Sequence, residues 1–243
     1  MSQKTSAPIS RRQFITGAAA AVASVTIAPG VFLMRPADAG TAEGVRWGLL
    51  IDSNRCGDCN ACVTACHEEN GVRGMDRPRT DAQWIRKVEL RDPDTGHSHS
   101  LPVMCQHCEH PPCEDVCPTG ASFRRADGIV LVNKHTCIGC RYCMLACPYK
   151  ARSFIHETLT DQAAHAPRGK GTVESCTLCV HRIDRGERTT ACVEACHDKG
   201  NGAMLFGDLN DPDSAISREL AEHGGTAIRA DLGLNPGVRY QGI

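Results

Sequence analysis

Aromatic side chains are scarce in this sequence: two Trp, three Tyr and five Phe among 243 residues. A chain so poor in large flat side chains has a modest apolar core, so something besides packing must help to hold it. Strong charge of either sign is also missing. The balance of 27 basic against 28 acidic residues gives a net charge of −1, which argues against nucleic acid as the partner. Residues 1–39 contain four bases (Lys4, Arg11, Arg12, Arg35) and one acid (Asp38), so the remainder carries 23 bases against 27 acids, or −4. After residue 39 no segment approaches about eighteen consecutive apolar residues, so that part offers no membrane span. There is no P-loop, no Rossmann glycine run and no G-x-S-x-G. C-x-x-C-H does not occur, which argues against covalently attached haem. The sequence thus offers no substrate site of its own.

What it has instead is cysteine, 16 in all, with abundant Gly and Pro. They fall into four quartets. Cys56, Cys59, Cys62 and Cys66 are spaced x2, x2, x3, and Cys105, Cys108, Cys113 and Cys117 are spaced x2, x4, x3. Cys137, Cys140, Cys143 and Cys147 repeat the first spacing, and Cys176, Cys179, Cys192 and Cys196 are spaced x2, x12, x3. The middle two quartets each end in Cys-Pro, with a short apolar run between them, which is the pattern of a two-cluster ferredoxin. Three close thiolates wrap one cubane, and the fourth, turned away by its proline, ligates the other. The two quartets therefore need each other and form one unit. Taken alone, the fourth quartet also suits a four-thiolate zinc site. Beside three cluster-type quartets, and with His197 echoing the His67 that ends the first, it pairs with the first.

Ser10-Arg11-Arg12-Gln13-Phe14-Ile15 is a twin-arginine export pattern, followed by a moderately apolar run to Met34 that Pro29 and Gly30 interrupt. Ala37-Asp38-Ala39 supplies small residues for cleavage before Gly40. Residues 1–39 therefore read as an export signal, with a membrane anchor as the alternative. Twin-arginine export carries proteins already folded, which suits a cofactor assembled in a reducing cytoplasm for work in the periplasm.

The remaining segments position these quartets. Short strands are expected at Arg46–Asp52, Trp84–Leu90, Gly128–Val132 and Ala203–Phe206. Trp84, Val88 and Leu90 would then share one side of their strand. A short helix is expected over Cys59–Cys66, with Gly57 allowing a tight fold that brings N–H groups to sulfur. Another starts at Asp211–Ser214 and runs to His223, with Gly224 as its stop. Thr158–Thr172 reads as a connecting insertion. His67 either tunes or ligates a cluster or is a half-exposed histidine at a helix end. Arg73, Arg77 and Arg79 suit an acidic partner or simply solvate a loop. His97 and His99 could bind a metal and read better as surface residues. Lys150 and Arg152, beside a dianionic cluster, would raise its potential.

The chain resembles the four-cluster electron-transfer subunits of the dimethyl sulfoxide, polysulfide and tetrathionate reductase type over about Trp47–Asp211. The resemblance rests on Cys105-x2-Cys108-x4-Cys113-x3-Cys117-Pro-Thr-Gly-Ala, on Cys137-Ile-Gly-Cys140-Arg-Tyr-Cys143-x3-Cys147-Pro-Tyr, and on Phe206-Gly-Asp208 followed by Asp211-Pro212. It implies four [4Fe–4S] clusters. One is held by Cys56, Cys59, Cys62 and Cys196, and the second by Cys176, Cys179, Cys192 and Cys66. The third is held by Cys105, Cys108, Cys113 and Cys147, and the fourth by Cys137, Cys140, Cys143 and Cys117. His67 and His197 stand where that family has prolines.

The implied fold is α+β and loop-rich: two pseudo-symmetric bacterial-type two-cluster ferredoxin modules. Residues 44–104 with 170–210 form the first, 105–169 the second, and 211–243 a tail packed on them. Within the family the exported signal and the Cys-His endings look most like the DsrO type of DsrMKJOP sulfur-metabolism complexes. That implies an integral membrane quinone-interacting subunit (DsrP-like) and an exported multihaem cytochrome c (DsrJ-like) as partners. The alternatives are the cluster subunit of an exported molybdopterin reductase, or a secreted structural protein stapled by disulfides or zinc.

Overall fold

The computed structural model describes residues 44–243, apart from residues 78 and 97. The twin-arginine segment and His97 lie outside the described residues. The apolar run after Arg46 forms β1 (Trp47–Asp52) and brings Leu49, Leu50 and Ile51 into the core, none more than 2% exposed. Its antiparallel neighbour is β8 (Met204–Asp208), in the register Leu49↔Phe206, with the Trp47 and Phe206 rings stacked at 5.1 Å. On its other edge β9 (Val238–Gln241) runs parallel, a strand that the sequence pattern does not announce. Tyr240 of β9 is fully buried and donates from its hydroxyl to the Pro102 carbonyl at 3.0 Å, while Gln106 donates to that hydroxyl at 3.1 Å. The end of the chain is thereby pinned beside the start of the second quartet.

The helices that carry the end of a cysteine quartet come in two lengths, and proline separates them. α1 (Ala61–Glu69) and α5 (Ala191–Lys199) each carry Cys-x3-Cys-His and run on past the last cysteine for nine residues in all. α2 (Pro112–Asp115) and α3 (Tyr142–Ala146) stop before Cys117-Pro118 and Cys147-Pro148. A residue before proline is pushed out of the helical region, and Cys147 is extended, with φ −73° and ψ 112°. Histidine imposes no such stop. α1 packs against α5 and α2 against α3.

Two hairpins and a two-strand ladder complete the frame. β2 (Ile85–Arg91) pairs with β3 (Ser98–Met104), β4 (Ser122–Arg124) with β5 (Val130–Val132), and β6 (Ser153–Phe154) with β7 (Val173–Glu174). Trp84, just before β2, is buried, whereas Val88 and Leu90 line an open apolar groove with Leu101, Val103, Tyr149 and Ile228. α4 (Val180–Ile183) follows the C-x-x-C of the fourth quartet, and α6 (Ala215–His223) lies over β8. The start and stop of α6 are as the sequence indicates: the Ser214 Oγ accepts from the Ser217 N–H at 3.2 Å, and Gly224 follows in the left-handed region. Short strands and helices joined by long loops make the fold α+β.

Candidate metal centres

In three of the four quartets the first C-x-x-C turn uses one backbone device. The residue just before the second cysteine is left-handed: His107 (φ 44°), Gly139 (φ 70°) and Leu178 (φ 54°). That reversal folds the loop back on itself and aims N–H groups inward. The Leu178 N–H donates to Cys176 Sγ at 3.4 Å. Only Gly139 advertises the turn in the sequence; His107 and Leu178 adopt it without a glycine. Gly57 is not left-handed. Its lack of a side chain instead admits Asn201, whose Nδ2 lies 2.7 Å from where a Cβ would stand.

All sixteen thiols are free, and they converge in sets drawn from different quartets. Cys66 of α1 joins Cys176, Cys179 and Cys192 around one cavity. Cys105, Cys108, Cys113 and Cys147 line a second. Cys117, Cys137, Cys140 and Cys143 line a third. The remaining four also meet. Burial first, then the thiolates of Cys196, Cys56 and Cys59, push the Cys62 thiol up to about 11.

The chemistry of these sets fits a cluster. Each of the three cavities is walled by four thiols, the donor set that an iron–sulfur cubane takes. Burial first, with neighbouring thiols adding to it, drives Cys105, Cys108 and Cys192 up to about 12. Four such groups cannot all ionise without a cation among them, and iron supplies it. Polar hydrogens already point at sulfur. Ser122 N–H donates to Cys117 at 3.4 Å, Val173 N–H to Cys137 at 3.5 Å and Ala203 N–H to Cys196 at 3.2 Å. Arg152, 6% exposed, donates from Nη2 to Cys113 Sγ at 3.0 Å and to Ser122 Oγ at 2.8 Å. Its Nη1 is buried with no hydrogen-bond partner in the protein, as expected for a donor awaiting a sulfide.

Other sequence candidates find different places. The His197 Nε2 lies 2.9 Å from the Met204 carbonyl, tying α5 to β8. His67 bonds the backbone of Ile85, and burial, then Arg168, lowers its pKa. Both imidazoles brace strands. Arg77 pairs with Glu157 at 2.6 Å and Asp81 at 3.4 Å, so it is engaged within the chain. Lys150 is exposed and left-handed, at the rim of a cationic basin with Arg79, Arg86, Arg141 and Arg152. Sequence reasoning missed Arg168, whose buried guanidinium forks onto Glu174 at 2.9 and 2.7 Å. A charged residue in a polar insertion gives no sign that it folds inward.

The chain matches two families, each described as 4Fe-4S dicluster domain, one over residues 54–121 and the other over residues 97–209. It is 43% identical to the Hdr-like menaquinol oxidoreductase iron-sulfur subunit 1 of Archaeoglobus fulgidus, across 96% of this chain and 97% of that protein. It is 35% identical to one of the subunits of tetrathionate reductase from Salmonella typhimurium, across 96% of this chain and 88% of that one. It is 39% identical to the protein NrfC of Escherichia coli, across 93% of this chain and 92% of that one.

Proposed function

The chain belongs to the 4Fe–4S dicluster family of iron–sulfur subunits, and on that premise we propose that it wires single electrons through a membrane-bound, quinone-linked oxidoreductase complex. It carries four [4Fe–4S] clusters and no catalytic residues, and it serves as an electron-transfer subunit. The observation that carries the reading is the crossed gathering of thiols: each of three cavities takes cysteines from two quartets. We assign Cys56, Cys59, Cys62 and Cys196 to cluster one, and Cys66, Cys176, Cys179 and Cys192 to cluster two. Cys105, Cys108, Cys113 and Cys147 hold cluster three, and Cys117, Cys137, Cys140 and Cys143 hold cluster four.

The clusters supply one-electron chemistry when bound; the chain spaces and tunes them. Neighbouring thiols support the order one–two–three–four. Cys62 and Cys66 share α1, Cys176 feels Cys105, and Cys143 feels Cys113. At one end Cys140 is exposed among Ile138, Tyr142 and Leu145, which are 67, 57 and 74% exposed and suit contact with an apolar partner surface. At the other, Cys56 and Cys59 are half-exposed.

We further propose a periplasmic place in sulfur metabolism, of the DsrO type. A DsrP-like membrane subunit would lie at one end and a DsrJ-like cytochrome c at the other. The twin-arginine pattern at Arg11-Arg12 and the Cys-His endings support this reading. Among the described residues no helix is long and apolar enough to cross a membrane, which supports attachment through partners. The likeness to the tetrathionate reductase protein favours a second reading, the cluster subunit of an exported molybdopterin reductase. Co-purification separates the two: a quinone-reactive membrane protein with a multihaem cytochrome, or a molybdopterin protein.

The assignment itself is tested by Cys117→Ala. Redox-resolved EPR should lose the signal that Cys140→Ala also removes. Loss of the signal that Cys108→Ala removes, with the first retained, overturns the crossed sets.

A further inference from the structure

Arg152 stands between two sets of sulfurs. Its Nη2 is 3.0 Å from Cys113 Sγ, a thiol of cluster three, and it lines that cavity. It also acts on Cys143, a thiol of cluster four. Ser122 fixes it from a third side, with Oγ 2.8 Å from the same Nη2, while the Ser122 N–H donates to Cys117 of cluster four. A guanidinium in this place is permanently charged and has several donors in a rigid fork, so one side chain can serve two acceptors at once.

Its neighbours sharpen the point. Lys134, whose Nζ bonds the Val173 carbonyl at 2.5 Å, acts on Cys137 of cluster four. Arg46 acts on Cys108 of cluster three, but it is paired with Glu109 at 3.4 Å. Beside cluster two, Arg182 is offset by Glu69 and Glu194, at 2.8 and 2.7 Å. Beside cluster one, Lys87 donates from Nζ to the Cys59 carbonyl at 2.7 Å and acts on Cys56 and Cys62, but it is only half-buried. Arg152 is buried and its contacts are sulfur and hydroxyl, so its charge is left for the clusters. Reduction adds a negative charge to a cluster, and a cation against its sulfur stabilises that form.

We propose that Arg152 is a counter-ion shared by clusters three and four, which sets both potentials together. This rests on the ligand sets proposed above. Arg152 is a positioning residue for charge, and its signature is a paired shift. In the intact protein, potentiometric EPR should show Arg152→Gln lowering both midpoints. Each reduction constant falls at least tenfold, or 59 mV for one electron, and clusters one and two stay in place. Arg152→Lys restores at least half of each shift. Lys134→Met lowers cluster four alone. Ser122→Ala leaves the charge but frees the fork, so both midpoints fall by less; this variant carries the test if Arg152→Gln does not retain its iron. A shift confined to one of the two clusters, or an Arg152→Lys protein no better than Arg152→Gln, overturns the proposal. The signals are assigned by Cys108→Ala and Cys140→Ala, so a fault in the ligand sets shows in those variants independently of Arg152.

Discussion

Arg168 and Glu174 show how much of the fold rests on single side chains outside the cysteine pattern. Both are buried, at 4 and 0% exposure of their side chains, and Arg168 also donates to the Gly71 carbonyl at 2.6 Å. Removing one member leaves the other charge buried without its partner, a cost of about 3–5 kcal/mol. Arg168→Ala should therefore destabilise the protein by that order in denaturant unfolding, although its loop reads as a mere connection. A loss under about 1 kcal/mol would mean that the pair is solvated. The cysteines were legible at this scale, because their spacing is dictated by metal geometry. Arg152 was partly legible, from its place five residues after Cys147. Its contact with a second thiol set was not, because Cys113 and Ser122 reach it only through the folded loops.

Glu69, His67 and their helix make the same case for elements. With no proline after Cys66, α1 runs on to Glu69, which meets Arg182 of α4 through bonds of 2.9 and 2.8 Å. His67→Pro should cost about 3 kcal/mol, by removing a helical N–H and crowding the preceding turn. Thermal unfolding of the variant checks it; an unchanged midpoint would show that α1 does not need its last turn. The hydrogen bond from Arg182, then that from His181, holds the Glu69 carboxyl at about 2, against an ordinary value of 4.5. A depressed carboxylate stabilises the fold above its unfolded pKa and loses that contribution as pH falls through the folded one. The gap in stability between the native protein and Glu69→Gln should therefore be flat above 4.5 and close toward about 2. Its size is about 0.5–1 kcal/mol, since the pair is partly solvated. A gap that instead changes near neutral pH would assign it to another group. The sequence showed both ends of α6 through Ser214 and Gly224, and β1 through its apolar run. It did not show β9, whose Val238-Arg-Tyr-Gln241 is too short and mixed to distinguish from a loop until β1 offers it an edge. Nor did it show β4, three residues long.

Across the molecule, cysteines do much of the work that aromatic residues do elsewhere. Ten of the sixteen lie buried in one continuous core with Leu49, Ile85, Met104, Ile129 and Tyr240. The two-cluster logic was readable because Cys-Pro endings and quartet spacing carry it. The order of the clusters was not, because it depends on which thiols of different quartets face one another. Stripping iron with a chelator under reducing conditions leaves four knots of repelling sulfur with no cation, so secondary structure should collapse along with the visible absorption. The most direct measurement is the count of iron and acid-labile sulfide in anaerobically purified, folded protein. Four cubanes predict about sixteen of each per chain. Zinc in their place, or a fully folded chain with neither metal nor sulfide, would contradict the account.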